Sequence, residues 1–391
     1  MTGLAMGALG TLMAGCASSA GVQAPRAALA AAEVRVPPSP HLTAMAPSGA
    51  AITGVGVEPK VVDLSDQHDR AARVRYRLDQ PADVRVDLVD AEGRMIRRLE
   101  ASRQAAGPHE VAWDGRADAG QPVPSGVYRY VLHARTADGA LTTHDPSMTT
   151  GGEELEPRDF TFDRASGRLR WFMPRAGRAR LRIGIQGFPH LRTLLDWEPM
   201  AAGPQEILWD GLDASGLIRA IDHPTLIAKL HAYALADNTI IVRGLPAGQA
   251  GRSSAASSLA SIAPTYPPEQ ASERLYLHAR HARPACHEAR VSVSFPPQTP
   301  RDAQGHPVLT GTVPVQVALD PSDATYFVNQ RFEVALYEDL TFLFEEEEST
   351  NPLTFLWDTA RLPAGAHLLT VNVLSYDDHY GVVTQPVVIN Q

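Results

Sequence analysis

The stretch Ala105-Ala106-Gly107-Pro108-His109-Glu110-Val111-Ala112-Trp113-Asp114-Gly115 decides how this chain is read, because it returns as Ala201-Ala202-Gly203-Pro204-Gln205-Glu206-Ile207-Leu208-Trp209-Asp210-Gly211. Ala119-Gly120 follows the first copy and Ala214-Ser215-Gly216 the second. The spacing is about 96 residues, the length of one β-sandwich domain. The flanks repeat as well. Val74-x-Tyr76-x-Leu78 and Val84-x-Val86-x-Leu88 alternate in the first copy, and Leu169-x-Trp171-x-Met173 and Leu181-x-Ile183-x-Ile185 in the second. Alternation of period two places every second side chain on one face, as in a half-buried strand. Asp90-Ala91-Glu92-Gly93 reads as a hairpin turn between two such strands. Within each copy, Trp113 or Trp209 is expected to point inward at a strand end. Asp114 or Asp210 then bonds the amides of the following turn, and Gly115 or Gly211 accepts a positive φ.

The first copy continues through Pro122-Val123-Pro124-Ser125-Gly126-Val127-Tyr128-Arg129-Tyr130. This run, with the Trp-Asp-Gly step before it, resembles the FlgD-type immunoglobulin-like domain. The resemblance spans roughly 59–243. It implies a sandwich fold and a spacer or scaffold use, since such modules serve many proteins. The second copy departs from the pattern at Ile221-Asp222-His223-Pro224-Thr225-Leu226-Ile227, which has no Gly-x-Tyr step.

A third module follows. Val313-x-Val315-x-Val317-x-Leu319, Phe332-x-Val334-x-Leu336 and Leu369-x-Val371-x-Val373 alternate, and Val291-x-Val293-x-Phe295 precedes them. Trp357-Asp358-Thr359, followed by Gly365-Ala366-His367, resembles a pattern of bacterial immunoglobulin-like modules in exported proteins. No long amphipathic helix is evident, so the expected fold class is all-β: tandem immunoglobulin-like sandwiches. The expected organisation is a signal segment over 1–15, a tether over 16–58, sandwiches over 59–150 and 151–245, a linker over 246–285, and a third, acidic sandwich over 286–391.

The leader and tether come from composition. Residues 4–15 are apolar or small over a run too short to span a bilayer. Leu12-Met13-Ala14-Gly15-Cys16 resembles a lipobox, whose cysteine is acylated and becomes the first residue after cleavage. Cys16 is therefore the expected lipidation site, with the acyl chains holding the protein to a membrane. No Lys or Arg precedes Arg26, a departure from the usual positive start. The Ala-, Pro- and Ser-rich segment that follows reads as a tether. The resulting expectation is an exported, outer-membrane-anchored lipoprotein, periplasmic or at the cell surface.

Charge separates the third module from the rest. The whole chain carries −9, and 301–391 holds 13 acidic residues against three arginines. A basic footprint for nucleic acid is absent from that balance. Enzyme signatures are missing too. No Gly-x-Ser-x-Gly elbow occurs, and His287-Glu288 lacks the second histidine a zincin needs. Two clusters carry ligand-type residues. His278, His281, Cys286 and His287 fall within ten residues and offer imidazole and thiolate to a transition metal or haem. Glu345-Glu346-Glu347-Glu348, with Asp339 and Asp377-Asp378, offer oxygens to calcium. Solvated loops are the better explanation of both clusters, so no cofactor is expected. Among the tryptophans, Trp197 sits in a polar context, Leu195-Asp196-Trp197-Glu198, where an exposed ring would stack on a sugar. The expected function is a non-catalytic structural or adaptor protein docking envelope or extracellular proteins by β-strand edges, with no nucleic-acid partner. A carbohydrate-binding accessory protein and a haem- or metal-associated component of an exported redox system are the alternatives.

Overall fold

The computed structural model describes residues 49–391 apart from 66–70, 92, 188, 245–287, 325–326, 328–330 and 376–378. Cys16, His278, His281, Cys286, His287 and Asp377-Asp378 lie outside the described residues. The described chain is almost entirely strand. Its helical segments are short turns at Pro146–Met148, Ala220–Asp222 and Pro321–Ala324. No helix among the described residues is long and apolar enough to cross a membrane.

The first sandwich is built from β1 (Ile52–Glu58), β2 (Val61–Asp63), β3 (Ala72–Leu78), β4 (Ala82–Val89), β5 (Met95–Gln104), β6 (Gly107–Trp113), β7 (Gly126–Arg135) and β8 (Leu141–His144). The second contains β9 (Glu154–Leu155), β10 (Arg158–Asp163), β11 (Arg168–Met173), β12 (Gly177–Ile185), β13 (His190–Met200), β14 (Gly203–Leu208) and β15 (Leu226–Ala234). One more strand, β16 (Thr239–Arg243), comes before the third sandwich. That sandwich holds β17 (Val291–Ser294), β18 (Val308–Leu309), β19 (Thr312–Leu319), β20 (Phe332–Glu338), β21 (Thr341–Glu346), β22 (Leu353–Asp358), β23 (Gly365–Ser375) and β24 (Tyr380–Ile389).

Each sandwich packs a three-stranded sheet against a larger one. The small sheets run β1-β3-β6, β10-β11-β14 and β17-β19-β22. The large sheets run β2-β16-β7-β4-β5, β13-β12-β15-β9 and β18-β24-β23-β20-β21. The alternation in sequence becomes alternation in burial. On β3, Ala72, Val74, Tyr76 and Leu78 are buried while Arg73, Arg75 and Arg77 face water. Three separate cores result, around Trp113, around Trp171 and Trp209, and around Trp357.

Strand β16 departs from the sequence-based boundaries. It follows the second sandwich in the chain, yet it pairs with the first. It runs parallel to β2, with Ile241 opposite Val61, and antiparallel to β7, with Ile240 opposite Tyr128. Strand β7 is ten residues long, and its outer edge is shared. Leu132–Arg135 pairs with β8, and Gly126–Arg129 pairs with β16. The second sandwich is therefore an excursion from the edge of the first. Residues 239–243, placed by sequence within 151–245, belong to the earlier sheet. The third sandwich closes the same position within its own chain segment, with β24 parallel to β18.

Burial explains why β16 is apolar on both faces. Ile240 and Val242 enter the first core, while Ile241 packs with Val61, Val127 and Leu235 on the opposite side. Asn238 anchors the return. Its side chain donates to the Tyr130 carbonyl at 2.8 Å and to Asp145 at 3.0 Å, and its own carbonyl accepts from Tyr130 N–H.

The second and third sandwiches also touch. The Asn372 side chain accepts from His190 N–H at 2.8 Å and donates to the His190 carbonyl at 2.9 Å. The Arg182 and Arg180 guanidinium groups lie over the Tyr380 ring, and the His190 imidazole packs edge-on against it. His190 faces Glu288 at 3.4 Å. Burial, and the Arg182 and Arg180 charges, outweigh Glu288 and hold its imidazole below the ordinary histidine value.

Candidate functional site

The Trp-Asp-Gly corners are packing devices. Trp113 is fully buried at the end of β6, its indole N–H donating to the Arg116 carbonyl at 2.8 Å. Tyr128 packs edge-on against it at 5.3 Å. Asp114 accepts from Arg116 N–H, closing the turn, and from the Arg97 guanidinium at 2.6 Å. Gly115 has φ 73°, and a Cβ there would lie 2.9 Å from Leu64. The second copy repeats each element. Trp209 donates to the Leu212 carbonyl at 2.9 Å, and Asp210 accepts from Leu212 N–H and from Arg192 at 2.8 Å. Gly211 has φ 83° against Ile221. The carbonyls of Gly115 and Gly211 accept from Val123 and Ile221, the equivalent residues across the corner. In the third copy Trp357 is buried and Asp358 accepts from Ala360 N–H. Thr359 takes the glycine's place and bonds Gly311 through its N–H and hydroxyl. Apart from the Trp357 indole N–H, which is buried without a hydrogen-bond partner among the described residues, these groups bond one another and the local backbone, an arrangement for stability.

Sequence reading missed the arginines. Arg97 on β5 and Arg192 on β13 clamp the corner aspartates. A second repeated clamp crosses the small sheets. Glu110 on β6 bonds Arg73 and Arg75, and Glu206 on β14 bonds Arg168 and Arg170. Arginine alternation on β3 and β11 opposite a single glutamate was the available signal. It acquires meaning only once the register is known.

Trp197 is not a sugar platform. It is 1 % exposed, packed between the Arg180 guanidinium and the Tyr233 ring. A bulge explains the difference. The β12–β13 register shifts beside Trp197, whose φ is 55°, and the ring turns in over β12 instead of out to solvent.

The edges of the small sheets offer the clearest contrast between copies. Strands β6, β14 and β22 occupy the same edge position. On β6 and β14 an exposed proline, Pro108 or Pro204, removes a donor, and the Arg–Glu clamps place charge beside it. Both are ordinary defences of an unpaired edge. Strand β22, Leu353-Thr354-Phe355-Leu356-Trp357-Asp358, carries neither proline nor arginine. Its outward Leu356 is 65 % exposed, as is the equivalent Leu208 of β14 at 66 %, so the contrast lies in the proline and the clamp.

Acidic groups gather on the large sheet of that third sandwich. Burial, then the hydrogen-bonded Glu345 carboxylate and the Glu347 charge, push the Glu333 carboxyl up to about 7. At the other end of β20, the His367 imidazole meets Glu338 and Asp339. Burial opposes the charged ring, but the Pro363 carbonyl and the two carboxylates prevail and raise the His367 pKa. Asp339, named with calcium in mind, is therefore joined to a histidine rather than to the glutamate run.

Comparison with known proteins locates one family within the chain. The FlgD Ig-like domain matches residues 61–138. The basal-body rod modification protein FlgD of Salmonella typhimurium is 33% identical over 91 residues, 23% of this chain and 37% of that protein. The FlgD of Salmonella typhi gives the same figures. The chain thus spans little more than a third of the length of these relatives. Among solved structures, FlgD from P. aeruginosa is 24% identical over 24% of this chain and 68% of its own, with a TM-score of 0.19. The fibronectin(III)-like modules of Clostridium thermocellum CbhA are 8% identical over 86% of this chain and 94% of theirs, with a TM-score of 0.19. Residues 61–138, the repeat that ends its sixth strand on Trp113, match the FlgD Ig-like domain and lie within an all-β chain.

Proposed function

We propose that this protein is a non-catalytic scaffold of an extracytoplasmic assembly, anchored through acylated Cys16 and docking a protein partner along β22. The observation that carries the reading is the unequal treatment of equivalent edges. β6 and β14 are guarded by proline and by Arg–Glu clamps, whereas the six residues of β22 carry neither. An open edge templates an added strand, main-chain hydrogen bonds supplying affinity and side-chain pockets selectivity. The acidic balance of 301–391 favours a partner strand rich in Lys or Arg. The interlocking of the corner residues with their own backbone supports a structural rather than catalytic use of the Trp-Asp-Gly steps.

The test is site-specific crosslinking from position 356 in native membranes, with Leu356→Lys as the competing variant. A discrete crosslinked partner, lost by at least tenfold in capture by Leu356→Lys, is expected. Equal capture by both proteins overturns the docking edge. Retention in the membrane fraction after Cys16→Ser overturns the anchor. The carbohydrate reading has lost its residue, since Trp197 is buried.

A further inference from the structure

Three groups of the kind that bind cations converge at the β20–β21 turn. His367 lies on β23 with only 8 % of its side chain exposed. Its Nε2 is 2.9 Å from the Pro363 carbonyl oxygen. A carbonyl can only accept, so Nε2 carries a hydrogen and donates it. In the neutral ring that assignment leaves the lone pair on Nδ1. Nδ1 lies 2.6 Å from Glu338 Oε1 and 2.8 Å from Asp339 Oδ2. All three atoms fall within 4.8 Å of one another. A ring lone pair and two carboxylate oxygens repel one another at such distances, so the three groups share a cation: a proton on Nδ1 or, in its place, a metal ion.

The surroundings hold this set in place. Asp339 Oδ1 accepts from Leu368 N–H at 2.8 Å, and Asp339 N–H donates to the Leu368 carbonyl at 2.9 Å. Only Oδ2 is thereby turned toward the ring. The ring itself is oriented by the Pro363 carbonyl on its far nitrogen. That is the outer-shell arrangement by which ligating histidines are normally fixed. Glu338 ends β20, opposite Leu369 of β23.

We propose that Glu338, Asp339 and His367 form a binding site for a divalent transition metal of the zinc class. One imidazole nitrogen and two carboxylate oxygens suit such an ion, with water completing the shell. Calcium, which asks for six to eight oxygens, is a poor match. The site has a structural consequence. The next residue, Leu340, leaves the third sandwich and packs against the core of the second. A metal at this turn therefore stiffens the segment joining two modules.

Zinc sulfate added to chelator-stripped full-length protein tests the proposal. Titration against a chromophoric chelator and thermal melting are the readouts, and Asp339→Asn is the paired variant. Asparagine tolerates the positive φ of Asp339 and can keep the bond to Leu368 N–H, so folding is retained. One zinc per chain is expected, with a rise of several degrees in melting temperature, both weakened at least tenfold in Asp339→Asn. Cobalt substitution should show a spectrum without a thiolate charge-transfer band, separating this site from any metal held by Cys286. Zinc binding that Asp339→Asn leaves unchanged overturns the proposal. So does the absence of binding at about 100 μM zinc, which would leave a proton as the cation shared by the three groups.

Discussion

Gly211 and Gly216 differ in one respect that makes them a controlled pair. Both have positive φ, 83° and 74°. A Cβ at Gly211 would stand 2.7 Å from Ile221, whereas nothing lies within 4 Å of one at Gly216. Alanine at Gly216 should therefore cost only the left-handed backbone term, about 1–2 kcal/mol. Alanine at Gly211 should cost about 1–3 kcal/mol more, because Ile221 must move within a packed core. Urea denaturation of the two variants measures the difference, and equal midpoints would contradict the packing described for the corner. Glu333 gives a second residue-scale expectation. Its folded-state value of about 7 lies above the ordinary 4.5. The stabilisation it gives is thus complete below about pH 4.5 and is lost as pH rises through about 7. The group is partly exposed, so solvent screening reduces the effect to about 1 kcal/mol. Glu333→Gln, which keeps the neutral form at every pH, should flatten that part of the profile and be the more stable protein at about pH 8. Parallel profiles for the two proteins would contradict it.

At the scale of elements, β16 carries the strongest expectation. Val242 is 1 % exposed in the first core, far along the chain from every other strand of that sandwich. Val242→Asp should destabilise the first sandwich by more than about 3 kcal/mol, since an unpaired charge would enter an apolar core. Amide exchange should accelerate first along Gly126–Arg129 of β7, which β16 covers, and less along Leu132–Arg135, which β8 covers. Uniform acceleration along β7 would count against the shared edge. The existence of the strands was legible from alternation, and the corners from their repetition. The destination of β16 was not. An apolar run such as Ile240-Ile241-Val242 is equally suited to any buried sheet position, and strand pairing is decided by packing over long range. The full burial of Trp197 is not legible in the sequence, because its chain neighbours are polar while its spatial neighbours, Arg180 and Tyr233, come from other strands. His367 and Asp339 are 28 residues apart in sequence, so their meeting depends on the register of β20 against β23, which are not consecutive strands, and no local pattern encodes it.

At the scale of the whole molecule, the second and third sandwiches meet through polar contacts around His190 and through Leu340. Asn372 completes the backbone of His190 at an irregular point in β13, and Tyr380 receives Arg182 on its face. Replacing both Asn372 and Tyr380 by alanine should uncouple the modules while leaving each core intact. Scanning calorimetry should then resolve a separate transition for the third sandwich, and small-angle scattering should show a larger radius of gyration. An unchanged single transition would mean that Leu340, seated against the second core, suffices to hold them.

The return of the chain to its first sheet imposes an order on biogenesis. A polypeptide emerging amino end first delivers Val61–Asp63 and Gly126–Arg129 long before Thr239–Arg243 exists. The opening module must wait, like an unclosed parenthesis, until the phrase nested inside it has been written. Maturation therefore runs from the inside outward, and the segment resembling FlgD is among the last parts to lock.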